Sequence, residues 1–210
     1  MSLSTRVTDV VQRALDIVVA VVVLVVAAPV MAVVAVLVAA GLGRPVLFRQ
    51  ARPGRHGRPF TLVKFRTMRD VDERRGLVSD ADRLTRLGRL LRATSLDELP
   101  TMWNVLRGEM SLVGPRPLLM HYLDLYTPEQ ARRHLVRPGV TGLAQVSGRN
   151  AVDWEERLAL DVWYVDHRSL GLHLRIFVRT VLILLRRHGI TAPGDSTMPQ
   201  FTGSPRAKGD

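Results

Sequence analysis

From Ile17 to Ala40 the chain runs 24 residues without a charged side chain, nearly all of them Val and Ala. No other stretch restricts the fold as much. As one α-helix it would measure about 36 Å, against a bilayer hydrocarbon core of roughly 30 Å, so its length permits a full crossing. It exceeds the apolar core of a secretory signal, about 7–15 residues. Pro29 lies near its centre, where proline deletes a backbone hydrogen bond and bends a helix. Arginines crowd both flanks: Arg6 and Arg13 before, then Arg44, Arg49, Arg52, Arg55 and Arg58 after. The positive-inside rule holds both flanks on the cytoplasmic side. Two readings follow, a tilted single span and a re-entrant hairpin that bends at Pro29 and leaves by the face it entered.

The remaining residues are enough for one domain with a real core in this 210-residue chain. A formal net charge of +11 asks for an acidic partner: nucleic acid, anionic lipid or a phosphorylated substrate. All but two of the 30 basic residues are arginine, the side chain suited to bidentate phosphate contacts. Cysteine is absent, which excludes disulfides, thiolate nucleophiles and cysteine-based zinc sites. The six histidines are scattered without metal-ligand spacing.

Residues 45–65 predict a β-hairpin, with Pro45-Val46-Leu47-Phe48 and Phe60-Thr61-Leu62-Val63 flanking a loop that holds Gly54 and Gly57. Lys64-Phe65-Arg66 continues the second strand, and Lys64 is one of only two lysines, as if the position needs a compact ammonium. Ser79 starts an expected helix through Arg92, whose arginines recur every three residues and suit either anionic headgroups or solvent. Further helices are expected over residues 122–135 and 154–164, and an interfacial or packed helix over 170–185, which is apolar but interrupted by His173, Arg175 and Arg179. Between them, residues 137–150 read as an irregular, glycine-rich loop suited to close approach of a phosphate or sugar, with Gln145 and Arg149 at hand. Residues from Ala192 onward are rich in Pro, Gly, Ser and Thr and predict a disordered tail.

The block from Ser95 to Pro117 carries an adjacent carboxylate pair, Asp97-Glu98, with Arg92 before it and Arg116 in a Gly-Pro-Arg-Pro turn after it. One reading is structural: Ser95-x-x-Glu98 fits a capping box and Pro100 the first turn of a helix closed by Gly108. The other is chemical: two carboxylates among arginines suit phosphates and a divalent cation, and a helix start would help keep Asp97 ionised.

Taken in order, these motifs resemble the bacterial sugar transferase family of monotopic phosphoglycosyl transferases. The resemblance runs from Arg13 to about Leu185. It rests on Arg13-x-Leu15-Asp16-Ile17, Phe48-Arg49-Gln50, Lys64-Phe65-Arg66-Thr67-Met68, the Ser95–Pro117 block, Arg137-Pro138-Gly139-Val140-Thr141-Gly142, Gln145 to Asn150, and Leu160 to Val165. It implies transfer of a sugar-1-phosphate from a nucleoside diphosphate sugar, such as a UDP-sugar, to polyprenyl (undecaprenyl) phosphate. It also implies a ping-pong route with Asp97 as nucleophile and Glu98 as a second catalytic carboxylate that helps bind Mg2+. Lys64, Arg66, Arg92, Arg116, Gln145, Arg149 and Asp161 are the expected substrate-binding residues. Departures are Ala28-Pro29 where the family has Ser-Pro, and Gly171 and His173 where tryptophan and aspartate are common.

The expected fold is mainly α with a small β-hairpin, an α+β chain in which an N-terminal helix-break-helix makes a monotopic, re-entrant membrane anchor. Residues 1–43 form that hairpin, 44–191 a catalytic domain on the cytoplasmic face of the inner membrane, and 192–210 the tail. Expected partners are the nucleotide sugar, polyprenyl phosphate and membrane lipids, without nucleic acid; a homo-oligomer is compatible with the sequence. A membrane-tethered nucleic-acid-binding protein is the competing reading of the basic charge, and it has no use for the carboxylate pair.

Overall fold

In the computed structural model, residues 3–148, 153–186 and 200–203 are described. The fold is mainly helical with two small sheets, as the α+β reading expects. The long apolar run is broken into α1 (Leu3–Val26) and α2 (Ala28–Leu42), bent by 62° at Ala27. Pro29 accounts for the break, because its nitrogen cannot donate to the carbonyl four residues back. On either side the ladder resumes, Ala27 donating to the Val23 carbonyl and Met31 to that of Ala27, both at 2.8 Å. No single described helix is long and apolar enough to cross a membrane, whereas the bent pair together meets that standard.

The hairpin packs directly on the rest of the chain. Ala20 of α1 is fully buried against Leu62, Met102, Val105 and Met110, and Val34 and Val38 of α2 against Phe65 and Leu91. Polar contacts lock the start of α1 to the block that follows the carboxylate pair. Arg13 donates to the carbonyls of Val105 and Leu106, at 2.6 and 2.8 Å. Asp16, 2% exposed, accepts from the Leu112 amide (2.8 Å) and the Ser111 hydroxyl (3.0 Å). The Arg-x-Leu-Asp entry motif is thus a clasp between α1 and the segment that follows the carboxylate pair.

The predicted hairpin is β1 (Leu47–Pro53) paired antiparallel with β2 (Pro59–Phe65), Phe48 opposite Lys64. The expected helix over 79–92 is divided into α3 (Asp80–Arg83), capped by Ser79, and α4 (Arg86–Ala93), capped by Thr85. The division arises because Leu84 bridges to Met68, and the Thr85 amide and hydroxyl both reach the Thr67 carbonyl. After a 3-10 turn at Leu96–Glu98 comes α5 (Thr101–Arg107), closed by Gly108 at φ 79°.

Of the stretch expected as an irregular loop over 137–150, the described residues 139–147 hold regular structure. β3 (Ser111–Val113) pairs parallel with β4 (Gly139–Thr141), and α7 (Leu143–Ser147) follows. A Cβ on Gly139 would lie 2.1 Å from the Gly114 nitrogen, and one on Gly142 2.3 Å from the Gly114 oxygen. These glycines therefore admit another stretch of backbone, not a ligand. The helix expected over 122–135 is three short pieces: a 3-10 turn at Met120–Leu125, α6 (Pro128–Ala131) with a Thr127–Gln130 capping box, and a second 3-10 turn at Arg132–Leu135. α8 (Trp154–His167) and α9 (Leu170–Arg186) match expectation. Of the expected tail, residues 200–203 are described, and there Phe201 is buried among Leu118, Tyr122 and Leu158. An aromatic side chain docked in a core departs from a tail read by composition alone.

Candidate active site

The carboxylate pair sits where α4 ends. Ser95 adopts φ 57°, a left-handed conformation uncommon for a residue with a Cβ, and this turns the chain into the 3-10 turn carrying Asp97 and Glu98. The capping-box reading fails for that reason: the Ser95 side chain caps nothing, and the Glu98 carboxylate is engaged elsewhere. Lys64 reaches Glu98 Oε1 at 2.6 Å and Arg116 reaches the same oxygen at 2.8 Å. Among the described residues, no hydrogen bond ends on Glu98 Oε2 or on either oxygen of Asp97, although Asp97 is only 7% exposed.

Lys64 is brought to Glu98 by the stapling of α5 to β2. Asn104, 1% exposed, donates to the Thr61 carbonyl (2.7 Å) and accepts from the Val63 amide (3.1 Å), completing the free edge of the strand as a neighbouring strand would. Thr101 adds a bond to the Val63 carbonyl at 3.0 Å. Arg116 is held by its loop: Gly114 bonds to Thr141, the Arg116 carbonyl accepts from Arg133 at 2.8 Å, and the Pro117 carbonyl accepts from Arg52 at 3.4 Å.

Adjacent in sequence, the two carboxylates have opposite electrostatics. Burial works against an ionised Glu98, but Arg116 and Lys64 together outweigh it and hold its carboxyl below the usual range. Burial, reinforced by the Glu98 charge, pushes Asp97 up to about 6 against the attraction of Lys64, Arg92 and Arg116. The expected help from a helix start is not decisive, since α5 begins four residues later. Burial lowers the Lys64 ammonium, with Glu98 opposing, whereas the Glu98 charge raises Arg116. The outcome is an unpaired carboxylate poised near neutrality beside a clamped one, within reach of three cations. Such a site suits attack on an electrophilic phosphorus.

The other expected binding residues are distributed differently. Arg92 donates to the Thr67 hydroxyl at 3.2 Å and acts electrostatically on Asp97. Arg66 is turned away: its donors go to Asp70 (2.7 Å), the Met68 carbonyl (3.1 Å) and the Arg44 carbonyl (3.4 Å), so it ties β2 to the exit of α2. Asp161 is buried in an ion pair with Arg133 at 2.7 Å, side chains 4% and 1% exposed, and so supports the Arg116 loop rather than facing solvent. Gln145 donates to the Val140 carbonyl at 3.0 Å. Arg149 lies outside the described residues.

Sequence reasoning passed over Arg52, Asn104 and Arg133. Arg52 shares a strand face with Gln50, which accepts from it at 2.6 Å, and burial together with nearby Arg116 lowers its guanidinium to about 10. The period-two spacing in β1 was the available signal; nothing local marked Arg133. Among the described residues no cluster of three or more His, Asp or Glu side chains could hold a metal.

The family model described as Bacterial sugar transferase matches residues 7–187. The chain is 50% identical over 196 residues to an uncharacterized sugar transferase, EpsL, of Bacillus subtilis, covering 93% of this chain and 97% of that protein. It is 43% identical over 188 residues to a UDP-glucose:undecaprenyl-phosphate glucose-1-phosphate transferase of Caulobacter vibrioides, 84% of this chain and 70% of the relative. With an undecaprenyl-phosphate galactose phosphotransferase of Salmonella typhimurium it shares 39% identity over 165 residues, spanning 70% of this chain but only 35% of that longer protein.

Proposed function

The chain belongs to the bacterial sugar transferase family, and we propose that it is a phosphoglycosyl transferase moving a sugar-1-phosphate from a nucleoside diphosphate sugar to polyprenyl phosphate. The observation that carries this reading is the unpaired, buried Asp97 carboxylate beside the doubly clamped Glu98. An oxygen of Asp97 attacks the sugar-bearing phosphorus, the bond from that phosphorus to the bridging oxygen breaks, and the nucleoside monophosphate leaves. A phosphate oxygen of the polyprenyl acceptor then attacks the same phosphorus, and Asp97 departs as a free carboxylate. Covalent storage on Asp97 lets a water-soluble donor and a lipid acceptor use one site in turn. Lys64, Arg92, Arg116 and Arg52 supply positive charge beyond what Asp97 and Glu98 neutralise, as a bound diphosphate requires.

Asp97 and Glu98 fit Mg2+, which binds through one or two protein carboxylates together with substrate phosphates and water. When bound it would offset charge on the diphosphate. The bent α1–α2 pair supports a re-entrant anchor in the cell membrane with the site on the cytoplasmic face. There Asp97 would lie at headgroup depth, where a polyprenyl phosphate presents its head.

The test is nucleoside monophosphate release from a panel of nucleotide sugars, with and without polyprenyl phosphate. Asp97→Asn should abolish both release and trapping of phosphosugar on the protein, and Glu98→Gln should lower activity and its Mg2+ dependence together. Full activity of Asp97→Asn overturns the mechanism. Salt-sensitive binding of generic DNA by a chain that releases no nucleotide would favour the nucleic-acid reading instead.

A further inference from the structure

Phe201 lies beyond the residues 7–187 that the family model matches, yet its side chain is 4% exposed. It closes an aromatic group behind the turn that carries Arg116. Its ring stacks on Tyr126 with centroids 5.7 Å apart at 29°, meets Tyr122 edge-on at 5.6 Å, and tilts against Trp154 at 5.3 Å. Its amide donates to the Tyr122 hydroxyl at 3.1 Å. Leu118, two residues past Arg116, packs in the same cluster.

Tyr126 connects this cluster to Arg133. The Arg133 guanidinium lies over the Tyr126 ring at 5.7 Å and donates to its hydroxyl at 3.3 Å. The same guanidinium donates to Asp161 from Nε (3.1 Å) and Nη2 (2.7 Å), and from Nη2 to the Arg116 carbonyl (2.8 Å). A cation this deeply buried has its orientation dictated by its partners, because leaving any donor unmet is costly. One of those partners, Tyr126, is backed by Phe201. The chain of contact therefore runs from Phe201 through Tyr126 and Arg133 to Arg116, which ends on Glu98 Oε1.

We infer that Phe201 is a positioning residue for phosphoryl transfer: docking of this C-terminal aromatic sets the Arg133 guanidinium and thereby holds Arg116 on Glu98 for the donor diphosphate. The inference rests on the proposed reaction and adds a remote element to it. It predicts that undocking Phe201 costs catalysis without touching Asp97, since misplacing a phosphate-holding group by about 1 Å is enough to slow a transfer.

The experiment uses the full-length protein in detergent or lipid, with nucleotide-sugar turnover read as nucleoside monophosphate release. Phe201→Ala should lower kcat/KM by about 10- to 100-fold, and Phe201→Leu, which keeps an apolar plug, should recover most of it. With Trp103 and Trp163 replaced by Phe, so that Trp154 is the sole tryptophan, its emission should shift in Phe201→Ala, reporting the undocked ring. In an Arg116→Ala background the same Phe201→Ala change should cost less than about twofold, because the route through Arg116 is already cut. Losses that multiply in the double variant overturn the inference. So does wild-type turnover in Phe201→Ala with shifted Trp154 emission. Should Phe201→Ala fail to fold, Phe201→Val, which removes the ring but keeps a smaller apolar group, carries the same test: a loss of kcat/KM in the wild-type background that shrinks below about twofold when Arg116→Ala is the background. A wild-type chain that releases no nucleotide from any donor sinks the functional reading and this inference with it; an active wild type with additive variants sinks this inference alone.

Discussion

Asp97 and Glu98 are neighbours with the same chemistry and opposite surroundings. Glu98 receives two cations on one oxygen, which hold its carboxyl below the usual range, while Asp97 receives no hydrogen bond from the described residues and is pushed up to about 6 by burial. A pair driven apart in this way divides the labour of a site. If Asp97 is the nucleophile, kcat/KM for the donor should fall about tenfold per pH unit below about 6 and level off above 7, as a pH–rate profile would show. Stability should run the other way. The folded pKa of Asp97 lies above its ordinary 3.8, so the folded state holds the proton more tightly, and stability is lost as pH rises from about 4 through about 6. Asp97→Asn should thus be inactive yet more stable than wild type at pH 7.5, by as much as ~3 kcal/mol, with the gain vanishing toward pH 4 in thermal melts. A variant whose advantage over wild type is no larger at pH 7.5 than at pH 4 would show that burial does not strain this carboxylate.

Among the elements, the parallel β3–β4 pair does the most to aim the Gly-Pro-Arg-Pro turn, and three glycines make it feasible. With a Cβ at residue 139 only 2.1 Å from a backbone nitrogen, the chain at Gly114 has to move, and Arg116 moves with it. Gly139→Ala should cost at least ~3 kcal/mol and most of the activity. Gly171→Ala is the control: nothing lies within 4 Å of its added Cβ, so stability should change by less than ~1 kcal/mol and turnover not at all. Denaturant unfolding and nucleotide release measure both. The glycine pattern was legible as close backbone approach, but a sequence does not say what approaches. Here the visitor is another strand. Likewise the helix predicted over 79–92 had the right periodicity and cap, and was divided only because Thr67 and Met68, from the end of the hairpin, bond at Leu84 and Thr85.

In the molecule as a whole, the apolar hairpin shares its core with the elements that carry the carboxylate pair. α1 and α2 flank β2, α4 and α5, with Ala20, Val34 and Val38 inside the shared core, while Val22, Val25, Val26, Val33 and Val36 face outward. An outward valine surface on a bent helix pair is what a re-entrant anchor needs. The missing serine before Pro29 has not prevented the bend, since Pro29 stands in the first turn of α2, where its lack of a donor matters least. The topology is testable without background labelling, because the chain has no cysteine. Ser4→Cys and Arg58→Cys should react with a membrane-impermeant maleimide from the same side; labelling from opposite sides would establish a through-span.

What the sequence determined by itself is what local covalent order carries. A 24-residue uncharged run with a central proline is an apolar helix bent near that proline, as a tilted span or a hairpin, apolar-rich strands around Gly54 and Gly57 fold back on each other, and Asp97-Glu98 presents two carboxylates together. Tertiary structure decided which of many arginines matter and how. It placed Lys64 and Arg116 on one oxygen of Glu98, spent Arg66 on the exit of α2, buried Asp161 with Arg133, and docked Phe201 behind them. The reason is physical. An ion's worth depends on desolvation and on partners set by packing, and 28 arginines that look alike in a sequence differ only once some are buried and others are not. The carboxylate pair was legible from the start; that one member is clamped and the other left unpaired is a property of the fold.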